Sequence, residues 1–307
     1  TLTLDTDVDL SSATDKFNDI LMEREKVVIK AGKTVTGTGK GLSMGSNALA
    51  SSNSESGYTN KGTVNITGGT VTEGVAAVNV AFGTVHNEST GTLSVDNGAG
   101  IYGTNGSRLV NDGTINVTGT GAGIAGLSKG SVTYGNKKVD ITNNGTISIA
   151  GDNAIGIFAY NNDNAAQSDV VINSNSALSL GTNGVGIAVK GANGGVINLG
   201  GTGNITVGTG GIGIYAENSR INLNADVQIE TKENGVGIYT AGTSQTFGAG
   251  KTLTYKYSGT ATGTGIASIY SGASSSNNMN IVLDNSVNTA GGMVGILAKG
   301  GGTFTNT

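Results

Sequence analysis

The sequence predicts an all-β chain wound as a parallel β-helix with three strands per coil, and two observations predict it. The first is repetition. "NGVGIYTAG" from Asn234 returns as "NAIGIFAYN" from Asn153, "NGVGIAVKG" from Asn183 and "GGIGIYAEN" from Gly210, with "GAGIYGTNG" from Gly98, "GAGIAGLSK" from Gly121 and "GGMVGILAKG" from Gly291 in the same set. The marker glycines Gly100, Gly123, Gly156, Gly186, Gly213, Gly237, Gly265 and Gly295 lie 23 to 33 residues apart, a period that belongs to solenoids. The second observation is alternation. A phrase before the marker ("NKGTVNI" from Asn60, "NDGTINV" from Asn111, "NNGTISI" from Asn143, "STGTLSV" from Ser89, and the looser "TGNITV" from Thr202) has apolar residues at every second position. So does a phrase after it ("SRLVN" from Ser107, "SRINLN" from Ser219, "KVDITN" from Lys138). Three half-buried strands per unit of about 24 residues, repeated about nine or ten times, is a β-helix signature.

Along the chain, residues 1–36 form a cap-like segment. "SSATDKFNDILMERE" (Ser11–Glu25) pairs Ser12 with Asp15 and spaces Phe17, Ile20 and Leu21 for one short helix, flanked by strands at Leu2–Leu4 and Val27–Ile29. Such a cap would shield the end of a solenoid from edge pairing. Residues 37–307 form the array. Val64/Ile66, Leu93/Val95, Ile115/Val117 and Ile147/Ile149 are expected inside. Ile155/Ile157, Val185/Ile187, Ile212/Ile214 and Val236/Ile238 are expected to share an inward face, with the marker glycines and the aromatics outward. Val139/Ile141, Ile221/Leu223 and Ile281/Leu283 complete the interior. Asn60, Asn111 and Asn143, at the turns, suit a left-handed backbone and a stacked amide ladder. Coils about 4.8 Å apart would make a rod of about 40–45 Å, with right-handed winding favoured on general grounds. "GGTFTNT" stops where another "NxGTI" is due, so further repeats are expected beyond it.

Composition narrows the function. Hydrophobic residues are 36% and charged ones 12%, which suits a folded chain rather than a charged disordered one. Lys and Arg number 17 against 21 acidic residues, which argues against nucleic acid as a partner. Without cysteine, disulfides and thiolate metal sites have no material. No apolar run approaches a membrane span, and no secretory leader opens the sequence.

Apparent chemistry motifs dissolve into the repeat. "GAGIYG" (Gly98, Gly100, Gly103) and "GAGIAG" (Gly121, Gly123, Gly126) spell G-x-G-x-x-G, but neither opens a helix, so no nucleotide cofactor is expected. "GGIG" at Gly210 lacks the Asp of calcium-binding nonapeptides. His86 is the only histidine and reads as a polar turn residue, so no metal site or nucleophile relay is expected. Carbohydrate-cleaving chemistry would need carboxylates clustered on one face. Asp96, Asp112, Asp140, Asp152, Asp163, Asp169, Asp226 and Asp284 fall in different phrases, with only Asp163 and Asp169 sharing one insertion. The chain therefore reads as a non-enzyme, with a polysaccharide-degrading enzyme as the alternative.

"NDGTINVTGTGAGIAG" and "NNGTISIAGDNAIGIFA" resemble the passenger repeats of bacterial autotransporters (type V secretion), and are similar in particular to the large outer-membrane autotransporter adhesins of fusobacteria. The resemblance covers roughly residues 60–307. It implies a secretion signal upstream, an outer-membrane β-barrel downstream as the only membrane contact, display on the cell surface, and adhesion to proteins or glycans of other bacteria or host cells. A chain threaded unfolded through a pore also fits the lack of cysteine. On a rigid scaffold, recognition belongs to outward side chains and loops. The candidates are the aromatic column Tyr102, Phe158, Tyr215 and Tyr239, the basic set Arg108, Lys129, Lys190, Arg220 and Lys299, and four excursions at Gly45–Tyr58, Tyr160–Asp169, Thr240–Gly250 and Ser271–Met279. Within the second excursion Tyr160, Asp163 and Asp169 stand out. The chain is expected to act as a monomer, either binding through these groups or spacing a more distant tip.

Overall fold

Parallel pairing runs through the strands of this chain, and the period-two phrases set its register. The structure, a computed structural model, describes residues 1–11, 26–44, 56–70, 75–128, 138–162, 165–248, 250–285 and 292–307. Its strands are arranged as a β-solenoid. The helix expected within Ser11–Glu25 falls on residues 12–25, outside the described residues. The strands beside it stack as rungs, Leu2 opposite Val27 and Leu4 opposite Ile29. The chain divides into two compact units, Thr1–Gly151 and Asp152–Thr307.

In the first unit each coil runs from an N-x-G-T strand to a glycine-phrase strand to a closing strand. The N-x-G-T column holds Thr34–Thr38, Thr63–Thr67, Thr92–Val95, Thr114–Val117 and Thr146–Ile149. The glycine column holds Ala76–Ala81, Gly98–Thr104 and Gly121–Ser128, and the closing column Gly57–Asn60, Thr84–Asn87, Ser107–Asn111 and Val139–Asn143. Leu93 sits opposite Val64 on one side and Ile115 on the other, and all three are buried, as are Val95, Val117, Ile147 and Ile149. Each such side chain contributes on the order of 1.5–3 kcal/mol by leaving water.

The glycine phrase behaves differently from the expectation. Its alternation breaks at the marker glycine: Val236 is half-buried, Gly237 and Ile238 both face inward, and Tyr239 points out. The same pattern holds in Ile155–Asn161 and Ile212–Glu217, and in Val185–Lys190 as far as Ile187, after which the small Ala188 is buried. Hence the first aliphatic of each pair is an outer residue, only the second is core, and the marker glycines are inward rather than outward. The reason is steric. A methyl group on Gly213 would lie 2.6 Å from Ile229 Cγ2, and one on Gly186 would lie 2.5 Å from Ile205 Cγ2. The bend brings two consecutive residues into a narrow interior, and only the side chain of the second fits.

The turn asparagines split into two roles. Asn60 Nδ2 donates to Asn87 Oδ1 (2.8 Å), Asn87 to Asn111 (2.8 Å) and Asn111 to Asn143 (2.9 Å), so the amide ladder forms and is fully buried. None of these four has a left-handed backbone. That conformation is taken by Asn218, at φ 50°, and by Asn153, Asn183 and Asn234, at φ of 55° to 57°, the last three each lying three residues before a marker glycine. Gly210 fills the equivalent place at φ 70°.

The second unit widens its core. Tyr255 stands opposite Ile229 in the N-x-G-T column, Tyr257 opposite Thr231 and Tyr270 opposite Thr240, and these rings and Phe247 are all buried. Buried phenols need partners, and Tyr257 Oη donates to the Thr260 carbonyl at 2.9 Å while Tyr255 Oη pairs with Ser268 Oγ. The expected excursions Thr240–Gly250 and Ser271–Met279 contain strands, Gln245–Phe247 and Ser274–Asn277, which stack with Thr303–Asn306 as a column of their own. The buried Gln245 amide accepts from Ile221 N (2.9 Å) and donates to the Ser219 carbonyl, doing with a side chain what strand backbone does elsewhere. Asn280–Asp284, expected as a closing strand, pairs with Thr252–Tyr257 in the N-x-G-T column. Among the described residues no further rung covers it, and Leu283 stays about half-exposed.

Candidate functional site

The bend at the marker glycine fixes which side chains the second unit displays. With Gly and Ile (Ala267 and Ser268 in the last of these coils) turned inward, the next position forms a column of Phe158, the covered Ala188, Tyr215, Tyr239 and Ile269 in register. Tyr215 and Tyr239 stack with ring centroids 4.9 Å apart and planes 9° from parallel. Lys190 Nζ lies 5.4 Å from the Tyr215 centroid, so the Tyr215 ring is held between a cation and a second ring. Ring edges and hydroxyls, rather than ring faces, are what Tyr215 offers to a partner. Burial first, then the Glu217 carboxylate and Tyr239, raise the Tyr215 phenol above its ordinary range and keep it protonated. Tyr160 is the register partner of Lys190 and extends the patch by one rung beside Phe158.

The other candidates are not gathered there. Tyr102, in the first unit, points outward between Asn79 and Ala125 with no aromatic register partner. Arg220 is exposed on the closing column opposite Val196, and Lys299 is exposed opposite Ser271. Asp169 ends a short 3-10 turn, Gln167–Asp169. Asp163, Lys129 and most of the Gly45–Tyr58 excursion (45–55) lie outside the described residues.

A second grouping lies on the first unit. His86 is a strand residue rather than a turn residue: it points outward from Thr84–Asn87, and its Nε2 lies 2.7 Å from Asp112 Oδ2 on the following coil. Asn144 Nδ2, one coil further, donates to Asp112 Oδ1 at 2.8 Å. Arg108 is exposed and stands in register with Asp140 on the neighbouring strand. Burial raises the Asp112 carboxyl, but hydrogen bonds from Asn144 and His86 and the charges of His86 and Arg108 outweigh it, leaving it below the ordinary carboxylate range. At Asp140 burial wins and raises the carboxyl, although Arg108 pulls the other way. Asp140 Oδ1 is buried without a hydrogen-bond partner. Arg108 was visible in sequence as one of a basic set. His86, Asp112 and Asp140 were visible singly but their meeting was not, although the residue after each ladder asparagine (Lys61, Glu88, Asp112, Asn144) forms a corner column.

Other carboxylates serve the coil. Asp7 accepts from Thr34 N (2.9 Å), Asp96 from Gly68 N (2.6 Å) and Gly69 N (3.0 Å), Asp152 from Thr182 N (3.0 Å) and Asp226 from Thr252 N (2.8 Å). The glycines of the G-x-G-x-x-G matches lie within strands, Gly98–Thr104 and Gly121–Ser128, and a methyl on Gly100 would strike the Ile115 side chain. No family model, no curated protein and no solved structure matches this chain.

Proposed function

We propose that this chain is part of the passenger of a bacterial type V autotransporter, displayed outside the cell, where it attaches to proteins or glycans of other bacteria or host cells. The resemblance of its repeats supports this reading, and so does the solenoid, a scaffold on which contacts with neighbouring coils hold each outward side chain in place. One observation carries it furthest. Tyr215, Tyr239 and Lys190 form an ordered, amphipathic, partly exposed patch whose side chains are already immobilised, so a partner binds it at low entropic cost.

The test is attachment of chain-coated beads to bacterial and epithelial cells. Tyr215→Ser with Tyr239→Ser removes the stack at an expected cost of about 0.5–1.5 kcal/mol beyond the lost burial. Folding should survive, while attachment falls by a factor on the order of ten or more if the rings are anchors. Unchanged attachment would assign this surface to spacing rather than contact.

A further inference from the structure

The geometry points to a binding site for a neutral saccharide, taken through vicinal hydroxyls, on the outer polar corner of the first unit formed by His86, Arg108, Asp112, Asp140 and Asn144. The site stands on its own residues and does not depend on the adhesin reading.

Its components differ from the polar groups elsewhere on the coil. Where Asp7, Asp152 and Asp226 cap backbone of the next rung, Asp112 is gripped only by side chains, His86 Nε2 on one oxygen and Asn144 Nδ2 on the other. Each oxygen keeps a second lone pair, so the carboxylate is oriented but not saturated. The Arg108 guanidinium is exposed and makes neither a hydrogen bond nor an ion pair with the described residues. Asp140, its register partner, has Oδ1 buried without a donor, which leaves Oδ2 as the oxygen to accept from a ligand hydroxyl.

The chemistry selects the ligand. An exposed fork of N–H donors, in register with Asp140 and four residues before Asp112, whose charge is felt by both carboxyls, disfavours an anion through the acids and a cation through the arginine. Among the described residues no group of three His, Cys, Asp or Glu side chains could hold a metal ion. A hydroxyl both donates and accepts, so two adjacent hydroxyls can take a donor from Arg108 and give protons to the carboxylates without any charge to neutralise. The strands Thr84–Asn87, Ser107–Asn111 and Val139–Asn143 are successive rungs, so the site spans about 10 Å across the rungs and about 13 Å along the strand from Arg108 to Asp112. That length suits one or two pyranose rings. Most of the groups rise from strands rather than long loops, which holds their geometry before the ligand arrives.

The experiment is saturation-transfer NMR on the full chain with lactose, maltose, cellobiose and mannose, and with glucuronate and N-acetylneuraminate as anionic comparators. At least one neutral saccharide should bind, and bind more tightly than either anion. Arg108→Ala and Asp140→Asn should each weaken it tenfold or more with the melting temperature held. Arg108→Lys keeps the charge but not the fork and should also fail, which preserves the test if the alanine variant folds poorly. The Tyr215→Ser and Tyr239→Ser double variant should bind as the parent does, separating this site from the aromatic patch. Binding of no neutral saccharide, preference for an anion, or undiminished binding by Asp140→Asn and Arg108→Lys overturns the assignment.

Discussion

A methyl group at Gly237 has no room: it would lie 2.6 Å from Tyr255 Cδ1 and closer still to the Ala267 carbonyl oxygen. Gly248 faces open space, without the positive φ that would penalise a side chain. Gly237→Ala should therefore destabilise by about 1–3 kcal/mol through overpacking. Gly248→Ala should be neutral, or stabilising by about 0.4–1 kcal/mol through the unfolded chain. Denaturant unfolding of the two variants checks this, and equal midpoints would return the marker glycines to the outer surface. The recurrence of these glycines was legible in the sequence, but their side was not. Strict alternation carries a face assignment straight through a strand, whereas here a bend turns Gly237 and Ile238 inward together. The outward position of Tyr239 was legible all the same, because the residue after the bend resumes the pattern.

At the scale of the strand and its corner, stability rests on groups shared between rungs. Asn111→Ala removes the donor to Asn143 Oδ1 in a dry corner and should cost about 1–3 kcal/mol, whereas outward Asn116→Ala should stay within about 0.5 kcal/mol of the parent. Calorimetry that failed to separate them would remove the ladder from the stability of the coil. Glu233 ties three rungs of the second unit, accepting from Thr260 N on one side and from Thr209 Oγ1 (3.1 Å) on the other. The Thr260 backbone bond is the main reason its carboxyl falls from an ordinary 4.5 to about 2. A depressed carboxyl favours the folded state above its unfolded value, so this contribution is intact above pH 4.5 and lost as pH falls toward 2. Glu233→Gln should flatten that part of the acid melting profile, and an unaltered profile would show that Glu233 does not link the rungs. The ladder was readable from the repeated Asn of "NxGT"; the Gln245 and Ser274 strands were not, because QTF and SSSN depart from every consensus phrase. The polar corner escaped for a related reason. His86, Arg108 and Asp140 lie on three successive coils, far apart in sequence, and only the register of the coils makes them neighbours.

The molecule as a whole is a chain of nearest-neighbour contacts, and its failure should follow that order. Ile115 is fully buried, in register with Leu93 and Ile147, and packs toward Gly100 across the interior. Ile115→Asp would strand a carboxylate there at a cost of several kcal/mol, since the described side chains beside it in register, Leu93 and Ile147, are aliphatic. In a globular core such a charge weakens everything at once, but in a solenoid each rung answers only to its neighbours. Amide exchange should therefore accelerate first in Thr92–Val95, Thr114–Val117 and Thr146–Ile149, while Ile212–Glu217 and Val236–Ala241 in the second unit keep their protection at moderate denaturant. Asn116→Asp, on the outer face of the same strand, should leave both sets unchanged. If Ile115→Asp instead released all of these strands together, the chain would be one cooperative block. A solenoid that fails locally has a consequence for the adhesive reading. The tyrosine patch would keep binding while the first unit frays, so bead attachment through Tyr215 and Tyr239 should outlast the loss of protection around Ile115.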